Sequence, residues 1–177
     1  MKPLVSKGKI VVKDYIEFAR FNMFKGKFYR IKIRALPVIA CLIGIPVALF
    51  GLIYQQYIYA LAAFVLLFSV YTLMASFKNK GKRMFVVNKR FAGAVHHVVF
   101  GKNGFINEVT LADGSTEHNE YLFSEVEKIY LAPSAIYIYM DKSSVFILPS
   151  GNVQITRDEA VAHLLKFVPE DKLVVCV

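Results

Sequence analysis

Residues 35–77 read ALPVIACLIGIPVALFGLIYQQYIYALAAFVLLFSVYTLMASF, forty-three positions without one charged side chain. Gln55 and Gln56 divide the stretch into Ala35–Tyr54, twenty residues, and Tyr57–Phe77, twenty-one, where Ser69, Thr72, Ser76 and tyrosine hydroxyls are the polar content. A bilayer core about 30 Å thick needs ~20 helical residues, so each half is long enough to span. The first half holds eleven Leu, Ile, Val and Phe residues. That number gives about −5 kcal/mol on an insertion scale before Pro and Gly reduce it. Two soluble core helices apolar all round would need cover on every side, more than the remaining chain supplies. A two-residue connection makes the helices antiparallel neighbours.

Working outward, the flanks carry the charge. The chain has 177 residues, 56% of them apolar and 20% charged, against about 45–50% and 25% in soluble domains. Its net charge of +9 divides into +8 over residues 1–34, +7 over 78–103 and −6 over 104–177. The basic residues therefore crowd the apolar stretch, while residues 104–177 are acidic. A nucleic-acid partner is not expected, because its basic patch would belong on the folded domain. Lys27, Arg30, Lys32 and Arg34 precede the first span, and Lys78, Lys80, Lys82 and Arg83 follow the second. The positive-inside rule then puts both termini in the cytoplasm, with Tyr54, Tyr57 and Tyr59 as an aromatic belt at the outer interface. The same cations can hold anionic lipid headgroups, at about 1 kcal/mol for each near the surface. A basic lead-in of 34 residues and a second span argue against a cleaved signal peptide. Cys41 and Cys176 are the two cysteines, too few and too separated for a disulfide framework.

In the first span Ala40, Gly44 and Ala48 recur every fourth position, with Gly51 nearby. Such a stripe lets a helix backbone approach closely, either from the second span or from a second copy of the chain. Pro46 removes a hydrogen bond and is expected to kink the helix near Leu42. Neither span holds an ionisable residue, which weighs against a proton relay or an ion-coupled transporter.

The N-terminal arm, 1–34, reads as a strand over Lys9–Lys13 followed by a helix from Tyr15 to Phe24 with Asp14 as its N-cap. Its apolar face suits either the membrane interface or the C-terminal domain. Residues 78–93 form a basic juxtamembrane connector, open to a helical reading and interrupted by Gly81. From 94 the apolar period becomes that of strands: Ala94–Phe100, Phe105–Leu111, Ser115–Tyr121, Val126–Leu131, Ala135–Met140 and Ser144–Leu148, with turns at 101–104 and at Asp113-Gly114. Thr156 and Glu159 make a capping box for a last helix over 156–168, ended by Pro169. The expected fold is a membrane α-helical hairpin plus an α+β domain. That domain is mainly antiparallel β, a pleckstrin-homology-like (PH-like) open barrel or curved sheet closed by a C-terminal helix, and the N-terminal strand is available as a further member.

The order of elements, with KDYIEFARFNMFKGK (13–27), HHVVFGKNGF (96–105), YLFSEVEKIY (121–130), IYIYM (136–140) and VFILPSG (145–151), resembles the YcxB-like family of small bacterial membrane proteins over nearly the whole chain. Phe123 stands where that family commonly has Trp. Ile147-Leu148-Pro149-Ser150 replaces its Ile-Pro-Lys motif and lacks the basic residue. The resemblance implies architecture and a multi-pass place in the bacterial inner membrane; it brings no activity with it.

Candidate chemistry is sparse. His96 and His97 are adjacent and on a strand face opposite sides; His118 and His163 have no ligand at zinc-like spacing. Lipase-elbow, zinc-protease, Walker and dinucleotide signatures are missing from the sequence. Glu117, Glu120, Glu125 and Glu127 read as a solvated acidic rim. No catalytic, cofactor or metal residues are therefore assigned. The expected function is a non-catalytic docking or regulatory module at the cytoplasmic face, with the lipid bilayer as one partner and a protein at the β domain as another. The alternative is a subunit of an oligomeric channel or transporter, a homo-oligomer built on Ala40, Gly44 and Ala48.

Overall fold

The computed structural model describes residues 4–26, 28–88, 94–141 and 144–176. Residues 89–93 of the expected connector lie outside them. Strand β1 (Val5–Lys9) leads into helix α1 (Val12–Met23), followed by two long helices, α2 (Tyr29–Ile53) and α3 (Tyr57–Val87). Strands β2 (Val95–Phe100), β3 (Gly104–Thr110), β4 (Thr116–Leu122), β5 (Lys128–Leu131), β6 (Ala135–Tyr139) and β7 (Val145–Pro149) come next, then α4 (Arg157–Leu164) and β8 (Leu173–Val175).

Helices α2 and α3 are both long and apolar enough to cross a membrane. Only 17% and 6% of their most apolar windows are buried, whereas core helices of a soluble protein are mostly covered. They join through Tyr54–Gln56, with Gln55 in the left-handed region at φ 58°. The small-residue stripe lies inside this hairpin. Ala40, Gly44 and Gly51 are buried and Ala48 half-buried. A Cβ added at Gly44 would meet the Leu67 side chain at 3.0 Å, and one at Gly51 the Ala60 nitrogen at 2.6 Å.

Helix α3 does not stop at the basic residues. It continues unbroken through Lys78, Lys80, Gly81, Lys82 and Arg83 to Val87. Gly81, read from sequence as an interruption, is where α1 crosses: a Cβ there would lie 2.6 Å from Ile16 Cα. Tyr15 packs edge-on against Phe85 nearby, centroids 5.7 Å apart. Helix α1 thus lies on α3 and on the β domain.

The eight strands form two four-stranded sheets, ordered β1-β2-β3-β4 and β7-β6-β5-β8. The N-terminal strand does join the domain, pairing antiparallel with β2 through Val5↔Val99 to Lys9↔Val95. It occupies Val5–Lys9, not the expected Lys9–Lys13. The reason lies in the α1 start. Asp14 is not the N-cap; it sits at the third helical position and its carboxylate accepts the Val11 N–H at 2.8 Å. That interaction draws Val12 into the helix and leaves the strand to VSKGK.

Six expected strands are present within a residue or two of their predicted limits. Strand β8 is an addition, pairing parallel with β5. Thr156 caps α4 as read, its hydroxyl accepting the Glu159 N–H at 3.3 Å while the Glu159 carboxylate takes the Thr156 N–H at 2.9 Å. The α-helix ends at Leu164, before the expected 168. Beyond it the chain tightens into bonds such as Phe167 N–H to Leu164 C=O at 3.0 Å, the usual fraying into a 3-10 turn.

All five residues of β6 are buried. Ile136 and Ile138 point into a core shared by both sheets and α4, with Phe105, Ile129, Leu148 and Leu164. Ala135, Tyr137 and Tyr139 point the other way, onto Phe18, Phe21 and Tyr29 of the helices. Gly81→Ala is expected to push α1 off α3 and lower the melting temperature of the detergent-solubilised chain, at a cost of about 1–3 kcal/mol. At Gly101 an added Cβ meets nothing nearer than 3.7 Å, so Gly101→Ala stays within about 0.5 kcal/mol of the parent. Equal melting points for the two variants would refute the close crossing.

Candidate functional site

Three places concentrate polar chemistry, and each follows from strand or helix periodicity. The first is a cleft of about 370 Å³ between the inner face of β2–β4 and strand β7. Alternation along the strands sends His96, Asn107 and Glu117 inward beside Val98, Val109 and Tyr121. Phe146, Ile147 and other β7 residues form the facing wall; Tyr15 and Phe18 of α1 with Met84 of α3 close one side. Asn107 is 4% exposed, and its Oδ1 has no hydrogen-bond partner among the described residues. A buried amide oxygen in that state costs about 1–3 kcal/mol and marks a position where water or a ligand group belongs. Burial holds the His96 imidazole below its ordinary pKa of 6.5, opposed by the nearby Asn107 amide. The cleft is thus an apolar slot with a small polar floor of His96, Asn107 and Asn119 and the Glu117 carboxylate on its β4 side.

The second is the outer face of the same sheet. Cross-strand register aligns Lys7, His97, Glu108 and His118 in one row over β1–β4. Glu108 Oε2 lies 3.1 Å from His97 Nδ1, Glu108 Oε1 lies 3.4 Å from His118 Nδ1, and His118 Nε2 lies 3.5 Å from Glu120. The His97 and His118 hydrogen bonds, His97 foremost, pull the Glu108 carboxyl below its ordinary value. Sequence spacing hid this row, because residues 97, 108 and 118 meet only through hairpin register. Among the described residues no three His, Cys, Asp or Glu side chains are arranged to hold a metal ion.

The third is a cleft of about 780 Å³ where α1 meets the start of α2. Arg30 and Arg34 line it from α2, together with Lys13, Glu17 and Arg20 from α1. Of the eight cations singled out from sequence, Lys27 lies outside the described residues, and these two arginines are brought together. Lys32, Lys78, Lys80, Lys82 and Arg83 are all exposed and line neither cleft. Lys13 and Arg20 were missed, although their spacing with Glu17 (i, i+4, i+7) puts all three on one helical face.

His163, four residues after Glu159 and so on the same helical face, is buried at 9% exposure against Phe167, ring centroids 5.4 Å apart. Glu159 turns instead to its cap. Burial lowers the His163 pKa as well.

Both depressed histidines oppose protonation in the folded state. Below an ordinary imidazole pKa of about 6.5 the unfolded chain therefore binds more protons, and stability falls on acidification. Glu108 acts lower down: its contribution is complete above its ordinary value of 4.5 and is lost as pH falls through the depressed one. His96→Gln is expected to reduce the loss of unfolding free energy between about pH 7 and about pH 5 in paired denaturant titrations. An unaltered pH slope would show that His96 is not held neutral by burial.

Comparison with known protein families, characterised proteins and solved structures finds no match for this chain.

Proposed function

We propose that the chain is a membrane-anchored, non-catalytic docking module of YcxB-like type, whose α2–α3 hairpin is inserted in the bacterial inner membrane and whose PH-like two-sheet domain lies in the cytoplasm. Support for insertion comes from the hairpin's surface, where Leu42, Ile53, Ile58, Phe64 and Tyr71 are each more than 60% exposed. Water would not tolerate that continuous apolar belt on a stable monomer. The 31 residues of α3 rise about 47 Å. A span uses about 20 of them, so the Lys78–Val87 end stands clear of the bilayer beside the domain. Basic residues at both open ends of the hairpin favour a cytoplasmic placement of both termini.

The observation that carries the docking role is the outer edge of β4, which pairs with no further strand among the described residues. It is the last strand of its sheet, seven residues long and largely exposed. By contrast β1 is covered along its outer side by the Ser6–Val153 bridge and the Gln154 N–H to Val5 C=O bond, and β8 has three residues. The groove beside α4 holds about 80 Å³. An extended segment adding to β4 would pair main chain to main chain, against Glu117 and Glu120 on the strand and Glu125 and Glu127 beyond it. The fitting occupant is a basic extended segment of another protein.

The channel or transporter alternative relied on Ala40, Gly44 and Ala48 as a face for other copies. Their packing against α3 leaves that reading with less support.

The membrane reading predicts that the chain floats with bilayers after alkaline extraction and that a reporter fused after Val177 is active only in the cytoplasm. A chain left in the supernatant of detergent-free lysate as a folded monomer ends it. For docking, a ten-residue peptide alternating Lys and Val is the probe. It is expected to slow hydrogen exchange across 116–122, weakening with salt and with Glu117→Gln/Glu120→Gln. Protection beside α4, or none at all, would discard the edge-docking reading.

A further inference from the structure

The cleft between α1 and α2 differs from a general basic surface in how its residues are ordered. On α2 one stripe runs Arg30, Arg34, Pro37, Val38, so charge gives way to apolar side chains along a single face over about 12 Å. Met74 of α3 continues the apolar end. Lys13 and Arg20 face the charged end from α1; the one acid there, Glu17, is already engaged by Arg20 at 2.7 Å. Among the described residues Lys13, Arg30 and Arg34 have no carboxylate partner. The hydroxyls of Tyr29 and Ser134, 3.3 Å apart, lie on the cleft wall.

We infer that this cleft is a binding site for one anionic phospholipid, its phosphate held by Lys13, Arg20, Arg30 and Arg34 and an acyl chain lying along Pro37, Val38 and Met74. Arginine and lysine supply charge-assisted hydrogen bonds to phosphate oxygens. The volume of about 780 Å³ suits a headgroup with the first part of a chain. A free phosphate ion would satisfy the charged end and leave the apolar end bare. The occupant is therefore amphipathic. The site accounts for two of the eight flanking cations and recruits two that no topology rule requires, since Lys13 and Arg20 lie on a helix outside the spans.

This inference rests on the membrane reading above, and the test separates the two. Full-length chain whose insertion has been established by flotation is purified in a neutral detergent. Phosphatidylglycerol, phosphatidylcholine and inorganic phosphate are then titrated against it. Phosphatidylglycerol is expected to bind about tenfold more tightly than phosphatidylcholine, the scale of one or two charge-assisted bonds. Arg30→Gln/Arg34→Gln should remove that preference. Lys32→Gln/Lys78→Gln, with the same loss of charge outside the cleft, should leave it intact. Lys13→Gln, on a separate helix, should weaken it and covers the case in which the arginine pair fails to fold. Equal losses in cleft and control variants, an absent lipid preference, or displacement of the lipid by an equal concentration of inorganic phosphate would each overturn the assignment. A chain that does not float sinks the membrane reading itself.

Discussion

The position of every working surface depends on one aromatic contact, the seating of Phe21 among three tyrosines. Its ring stacks on Tyr137 at 4.4 Å between centroids and meets Tyr29 and Tyr130 edge-on at 5.0 and 5.2 Å. Tyr29 begins α2, while Tyr130 and Tyr137 belong to the second sheet. One fully buried side chain therefore ties the N-terminal helix, the apolar hairpin and the β domain together. Burying such a ring is worth about 1.5–3 kcal/mol, and each well-oriented aromatic pair adds about 0.5–1.5 kcal/mol. Neighbouring polar contacts fix the direction of approach: Tyr139 donates to Asn22 at 3.2 Å, and the Lys25 ammonium sits 4.3 Å above the Tyr139 ring.

The clamp works because β6 has no solvent face. A strand in a two-sheet domain ordinarily shows one side to water, but here Tyr137 and Tyr139 are covered by α1 as fully as Ile136 and Ile138 are covered by the other sheet. Burial raises the pKa of both tyrosines strongly, so their hydroxyls, neutral near pH 7 in any case, stay protonated further into the alkaline range. The hairpin and the domain are consequently one packed body, joined through α1.

The coarse architecture was legible because its signals are local. Forty-three uncharged residues specify two helices, and alternation with Gly and Asp-Gly turns specifies a run of hairpin strands. What escaped was set by contacts distant in sequence. Strand β1 has a sequence, VSKGK, with little β preference, and is held by pairing with β2 about ninety positions on; the more strand-like Ile10-Val11-Val12 loses to the Asp14 cap. Strand β8 pairs parallel, without a hairpin to announce it. Gly81 looked like a break because a glycine in a polar helix and a glycine under a crossing helix read alike. The His97–Glu108–His118 row and the cationic cleft needed register and helix packing, which no spacing rule supplies.

Helix α1 is the element through which these sites bear on one another. Tyr15 and Phe18, three apart, wall the inter-sheet cleft with its unsatisfied Asn107 carbonyl; Lys13, Glu17 and Arg20 wall the cationic cleft on a different face of the same three turns. A helix pinned at Phe21 and pressed onto Gly81 has little freedom to yield at one wall without moving the other. The apolar hairpin's basic end and the β domain's interior therefore share one helical wall, α1.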